Sequence, residues 1–158
     1  GTTPRGEIRQ MRPEDYKYTE SHEWLRYNPK TKEALIGITD HAVKQLSDLV
    51  HIDLPKVGEN VESGSPFGEI ESVKTVADLV SPITGKILEI NKEVAGDLDV
   101  LKDEPFEDGW QIKIKPSNTS EMDTLMTKQE AEEFLAHADD KEDDDKESDE
   151  EVDEDDFV

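Results

Sequence analysis

"EIESVKTVADLVSP" (residues 69–82) carries most of the decision about the fold. Glu69–Ser72 and Thr75–Val80 are strand-like runs, and a two-residue link through Val73–Lys74 is the commonest way to join two such strands into a hairpin. Lys74 then stands at the tip, clear of the sheet and open to another protein. Val-Lys is unusual turn chemistry, because neither residue favours positive φ. The pattern therefore leaves two readings: a lysine displayed on a hairpin, or an ordinary solvent-facing strand lysine. In the second run Asp78 shares a face with Val76 and Val80, an odd place for a charge.

Working outward, short apolar stretches alternate with turn signals between residues 17 and 117. "EALIGI" (33–38) and "VHIDL" (50–54) read as strands, and "NPKTKE" (28–33) opens a turn with Asn-Pro. "LPKVGENVESGSPFG" (54–68) holds two prolines and three glycines, which favours short strands and turns. "SPITGKILEI" (81–90) leads from a turn into a strand. In "GWQIKIKP" (109–116), period two puts Trp110, Ile112 and Ile114 on one face and Gln111, Lys113 and Lys115 on the other. Many short strands at this spacing indicate a mainly β domain, a small barrel or sandwich.

Two helices interrupt or follow the strands. "TDHAVKQLSDL" (39–49) has Thr39 or Asp40 as N-cap, with Ala42, Val43, Leu46 and Leu49 on one face. Over 120–138, Thr127 and Glu130 match a capping box ahead of the stripe Ala131, Phe134, Leu135 and Ala138. The organisation expected is a flexible leader over 1–16, a domain over 17–117, a helical segment over 118–138 and a disordered acidic tail over 139–158.

The chain of 158 residues carries a net charge of −23. Residues 139–158 hold fourteen Asp/Glu against two Lys, so that stretch carries −12 and leaves −11 for the rest. Nucleic acid and anionic membrane surfaces are poor partners for such a chain, since both need a basic face. Without cysteine there is no disulfide, no thiolate metal site and no cysteine nucleophile. No apolar run is long enough to span a bilayer. His22, His41, His51 and His137 have no zinc spacing, so no metal site is expected, and no phosphate loop or serine nucleophile elbow is present. These absences favour a carrier or binding module over an enzyme.

Five stretches then bring a resemblance: "SHEW" (21–24), "GITDHA" (37–42), "LPKVGENVESGSPFGEIESVKT" (54–75), "SPITGKI" (81–87) and "GWQIKIKPS" (109–117). In order and spacing, from Tyr18 to Asn118, they are similar to the H-protein family of the glycine cleavage system, and Thr119–Ala138 resembles that family's C-terminal helices. The resemblance implies a lipoyl/biotinyl-type sandwich, a barrel-sandwich hybrid of two small antiparallel sheets with a short internal helix and C-terminal helices. It implies lipoate in amide linkage on Lys74, the lysine of ESVK. It also implies a non-catalytic, monomeric carrier that takes an aminomethyl group from the P-protein, a PLP-dependent glycine decarboxylase, to the T-protein, an aminomethyltransferase. The L-protein, dihydrolipoamide dehydrogenase, then reoxidises the carrier, and a separate lipoylating enzyme loads it.

By the same resemblance, Ser21, Glu23 and Asp78 line the cleft that holds the loaded arm's amine. A carboxylate suits an ammonium there. Asp78 would lie on the strand face of Lys74, about 13 Å along it. Glu71, three residues before Lys74, is a candidate for recognition by the lipoylating enzyme. Taken without the family, Glu23, Asp78 and Glu71 are plain surface or strand acids, and Ser21 supports a turn. Gln45, where many relatives have histidine, and Lys102, where relatives often have asparagine, depart from the pattern. The alternatives are a lipoyl relay to 2-oxoacid dehydrogenase complexes and a non-lipoylated interaction module; a biotin carrier fits poorly, because Val73 and Thr75 replace the methionines expected there. The mitochondrial matrix is the expected location, with the bacterial cytoplasm as alternative.

Overall fold

The computed structural model describes residues 12–137. The disordered tail expected over 139–158 and most of the leader lie outside them. The leader's end does not stay loose. Tyr16 is buried and its hydroxyl donates to the Phe106 carbonyl at 2.8 Å, while buried Arg12 pairs with Asp40 at 3.3 Å.

Among the described residues, nine strands form two antiparallel sheets. They are β1 (Lys17–Tyr18), β2 (Glu23–Asn28), β3 (Glu33–Ile38), β4 (Leu49–Asp53), β5 (Asn60–Val61), β6 (Pro66–Ser72), β7 (Val76–Val80), β8 (Gly85–Ile90) and β9 (Ile112–Pro116). The larger sheet runs β1-β2-β3-β9-β8-β5 and the smaller β4-β6-β7. Their inner faces enclose one core, in which Leu25, Ile36, Ile70, Leu79, Ile87, Ile112 and Ile114 are at most 1% exposed. Each such side chain contributes roughly 1.5–3 kcal/mol by leaving water. The turn spacing leaves a small barrel or a sandwich open; the observed architecture is the sandwich of two antiparallel sheets that the family resemblance implies.

Helix α1 (Asp40–Leu46) starts at Thr39, whose hydroxyl caps the Ala42 N–H at 3.2 Å. It ends at Leu46, three residues earlier than its apolar stripe suggests, so Leu49 opens β4 instead. Ser47 stops the helix with φ 73° and ψ −133° while donating its N–H to the Val43 carbonyl. Two further short helices, α2 (Lys92–Gly96) and α3 (Asp99–Asp103), lie between β8 and β9. At only five residues each, they are too short for helical periodicity to be visible.

Gln111 departs from its expected outward face. It lies just before β9, with 0% exposure, and its side-chain amide has no partner among the described residues. Lys113 is half-buried and ion-paired with Glu33 and Glu89, and Lys115 is exposed.

After β9 comes a 3-10 helix (Thr119–Thr124) and then α4, over 128–137. The Thr127–Glu130 capping box forms in both directions: Thr127 N donates to Glu130 Oε1 at 2.8 Å and Glu130 N to Thr127 Oγ1 at 3.2 Å. Ala131 on α4 joins a second cluster of Tyr16, Tyr18, Trp24 and Phe106. Trp24, the tryptophan of SHEW, is fully buried and its Nε1 donates to the carbonyls of Pro105 and Ile38 at 2.8 and 3.1 Å. Gly37 lies under its ring, where an added Cβ would come within 2.6 Å of the nearest ring carbon.

Candidate functional site

Lys74 sits on the turn between β6 and β7, exposed and outside any ion pair among the described residues. Strand pairing stops at Glu71↔Val76. Ser72 N donates to the Thr75 carbonyl at 2.8 Å, which closes the turn. Neither Val73 nor Lys74 has positive φ. The turn therefore avoids the mirror-image hairpin geometries that Val-Lys could not adopt easily. Because Lys74 precedes the strand, the alternation on β7 does not reach it, and Asp78 is not on a strand face shared with Lys74. The odd alternation of β7 has a direct explanation: Val76 and Asp78 are both exposed, while Leu79 is buried and Ala77 half-buried.

The second part of the site is the loop that enters β2. His22 takes a left-handed φ of 71°. Just beyond it Glu23 is 2% exposed. Its Oε1 accepts from the Ser21 hydroxyl and, at 2.7 Å, from the Thr19 hydroxyl. Its Oε2 accepts from the Val80 N–H of β7 at 3.2 Å. Burial raises the Glu23 pKa, and the hydrogen bonds from Ser21, Thr19 and Val80 pull the other way. The carboxylate thus ties the larger sheet to the edge of the smaller. The His22 ring lies tilted at 52° to that of His41 with centroids 4.6 Å apart, and the Phe134 ring of α4 lies 6.4 Å away. Burial first, then His41 and Arg12, push its pKa down to about 4.

Between this loop, α1 and the open edge of β7 lies a cleft of about 270 Å³. Ser21, Glu23 and Asp78 all line it, together with Thr75 from the turn of Lys74. Ile38, Ala42, Leu46, Ala77 and Leu79 give it an apolar wall. Glu71 stands apart on the outer face of the smaller sheet, opposite His51 and Val76. On that face Asp53, Glu69 and Asp78 fall in one cross-strand row, and none is in an ion pair among the described residues.

Several participants escaped the sequence reading. Thr19 holds Glu23 from both sides, since its Oγ1 also accepts the Glu23 N–H at 3.0 Å. Gln45, which the sequence reading places near the arm's cleft as a departure from the family pattern and gives no role, lines the cleft. Ser72 and the Asp48 carbonyl hold the turn. A serine two residues before a turn lysine was a legible cue, because serine hydroxyls bond backbone N–H groups just ahead of them. The Val80 N–H and the Asp48 carbonyl carried none, being backbone groups that any residue would supply.

With this geometry in hand, comparison with known proteins is direct. The sequence model of the family described as Glycine cleavage H-protein matches residues 16–138. The chain is 40% identical over 124 residues to the glycine cleavage system H protein of Halalkalibacterium halodurans, covering 78% of this chain and 95% of that one. It is 44% identical over 123 residues to the mitochondrial glycine cleavage system H protein of Flaveria pringlei, covering 78% of this chain and 75% of the relative. A crystal structure of a glycine cleavage system H protein from Mycobacterium marinum superposes with a TM-score of 0.70 at 36% identity, covering 80% of this chain and 98% of that chain. Sequence and architecture agree, and this chain belongs to the glycine cleavage H-protein family.

Proposed function

We propose that this chain works in glycine cleavage as a lipoyl carrier, with lipoate attached through Lys74 and its loaded arm held in the cleft of Ser21, Glu23 and Asp78. The family carries lipoate and serves as a carrier subunit. The observation that supports the residue assignment is the adjacency of an exposed turn lysine to an apolar cleft that has a buried carboxylate in its wall. The residues suit such a group. An aliphatic arm needs an apolar wall, which Ala42, Leu46 and Ala77 offer, and an amine at its end needs carboxylates, which Glu23 and Asp78 offer.

When bound to Lys74, the lipoyl group would supply a redox-active dithiolane able to carry a one-carbon amine unit between enzymes. The chain's own part is to present, shelter and release. Lys74 gives the arm its root. Glu23, already held by two hydroxyls and one N–H, meets a cation without reorganising. Asp78, exposed at the rim, adds charge where the amine would enter. The apolar wall keeps water from the cargo. Glu71, on the outer face, is open to the enzyme that attaches the arm. The partners are the P-, T- and L-proteins and a lipoylating enzyme. Location in the mitochondrial matrix, or else a bacterial cytoplasm, fits relatives of both kinds.

The test is intact-mass measurement after incubation of the full chain with a lipoate ligase, lipoate and ATP. One lipoyl mass is expected on the wild type and none on Lys74→Ala. An unchanged wild-type mass, or a gain that survives the substitution, refutes the attachment. Glycine–bicarbonate exchange with P-protein then tests the carrier role, and a lipoylated chain that supports no exchange refutes it.

A further inference from the structure

The tip that presents Lys74 has almost nothing to pack against. Val73 and Val76 are 68% and 55% exposed, and Lys74 and Thr75 are exposed as well. No proline stiffens the turn, and no glycine or asparagine eases it into a left-handed conformation. Its order must come from hydrogen bonds, and these can be accounted for one by one. Ser72 N donates to the Thr75 carbonyl at 2.8 Å and Val73 N to the Asp48 carbonyl at 2.9 Å. Lys74 N and Thr75 N both donate to the Ser72 hydroxyl oxygen, at 3.3 and 3.2 Å. The same hydroxyl donates to the Thr75 carbonyl at 3.3 Å. One proton to give and two lone pairs are the whole capacity of a serine, and Ser72 uses all of it on this turn. At 4% exposure it is also the one turn residue out of competition with water.

The Asp48 carbonyl is a second hook with its own history. It follows Ser47, whose φ of 73° and ψ of −133° are strained for a residue with a Cβ. Ser47 closes α1 by its N–H to Val43, and α1 lines the cleft through Ala42 and Leu46. The lysine's turn is thereby fastened to the cleft's helical wall.

We propose that Ser72 is the positioning residue for acylation of Lys74, fixing the turn so that the amine leaves the sheet in one direction. The inference rests on the carrier reading above and goes beyond it, from which lysine is modified to what aims it. In the ligase reaction a lipoate carboxylate oxygen attacks the α-phosphate of ATP, the α–β phosphoanhydride bond breaks, pyrophosphate leaves, and the acyl-nucleotide mixed anhydride remains. The Lys74 Nζ lone pair attacks the acyl carbon, the C–N bond forms, and the C–O bond to the nucleotide phosphate breaks with its electron pair. The amine proton passes to solvent. Such attack depends steeply on alignment, and a misplacement of about 1 Å can lower the rate by about 10²-fold.

The full chain supplies three readouts: amide hydrogen exchange by NMR, steady-state ligase kinetics by intact mass, and Tm. In Ser72→Ala the Lys74 and Thr75 amides should exchange at least about tenfold faster, with Ile70 and Leu79 in the flanking strands unchanged. The ligase kcat/KM should fall by about 10-fold or more, and Ser72→Thr, which keeps the hydroxyl, should recover most of it. If Ser72→Ala folds poorly, Val73→Pro removes the Asp48 hook at an exposed position and should give the same pair of effects. Ligase kinetics within about twofold of wild type, despite faster exchange, would overturn the positioning role. Unchanged exchange would overturn the hydrogen-bond account itself. A wild type that gains no lipoyl mass defeats the carrier reading instead, and is told apart because the exchange effect would still appear.

Discussion

Two turns meet at this cleft, and each has a serine that spends its hydroxyl differently. At the hairpin, Ser72 is buried and bonds only backbone, leaving the Lys74 side chain without obligations. At the entry to β2, Ser21 is exposed and donates to a side chain, the carboxylate of buried Glu23. One turn is built to release a charge into solvent and the other to hold a charge out of it. On the proposed carrier reading, a lysine that several enzymes reach is left unstabilised by its own fold. On the same reading, a carboxylate that meets a cation in a sheltered cleft is held in place beforehand, or it would turn toward water.

The sharpest way to break this contrast is to truncate both charges. Glu23→Ala should lower the unfolding free energy by about 2 kcal/mol, because the Val80 N–H and two hydroxyls lose their acceptor. Part of the loss is offset by removing a charge that burial disfavours. Lys74→Ala should leave stability within about 0.5 kcal/mol, as for any unpartnered surface side chain. Urea unfolding of the two variants reads both. Equal effects would mean that the turns are not divided in this way.

A smaller effect separates the loop's buried acid, Glu23, from its half-buried base, His22. His22 has its pKa pushed down to about 4 by burial, by His41 and by Arg12, which is itself paired with Asp40. The folded chain therefore binds that proton later than the unfolded chain does. The stabilising contribution is complete above the unfolded value of about 6.5 and is lost as pH falls toward 4. After allowance for partial exposure, roughly 1–2 kcal/mol should disappear across that window. Glu23 acts in the opposite sense, since its raised pKa makes the folded chain take up a proton first as pH falls. His22→Asn, which tolerates the left-handed φ, isolates the histidine: its stability-versus-pH curve should be flatter between pH 6.5 and 4 than that of wild type. Parallel curves would remove His22 from the account.

Much of this was legible in the residues, for identifiable reasons. The strand "EALIGI" occupies Glu33–Ile38 as read, and the Thr127–Glu130 box caps α4, because both signals are local. Residues far apart in sequence were brought to one cleft by the sandwich, which the family resemblance implied and which no spacing could have given. What failed to show was anything made by backbone or by context. Leu49 fits a helical stripe but belongs to β4, since Ser47 breaks the chain's direction first. Gln111 fits an outward strand face but is buried where the strand has not yet begun. The Val80 N–H that holds Glu23 leaves no mark on the sequence at all.

The smallest expected effect bears on what Asp78 is for. It stands opposite Glu69, which stands opposite Asp53, so three like charges share one row of the outer face. Directly opposed like charges in neighbouring strands are destabilising. Asp78→Asn should therefore raise the unfolding free energy of the unmodified chain by about 0.5 kcal/mol at low ionic strength, a gain that shrinks with added salt. If Asp78 also meets the amine in the cleft, the same substitution should shorten the lifetime of the loaded carrier. The two signs are opposed, and a merely structural acid cannot produce both. Greater stability with an unchanged release rate would leave the cleft to Ser21 and Glu23. Greater stability with faster release would mean that the row keeps its repulsion because the cargo relieves it.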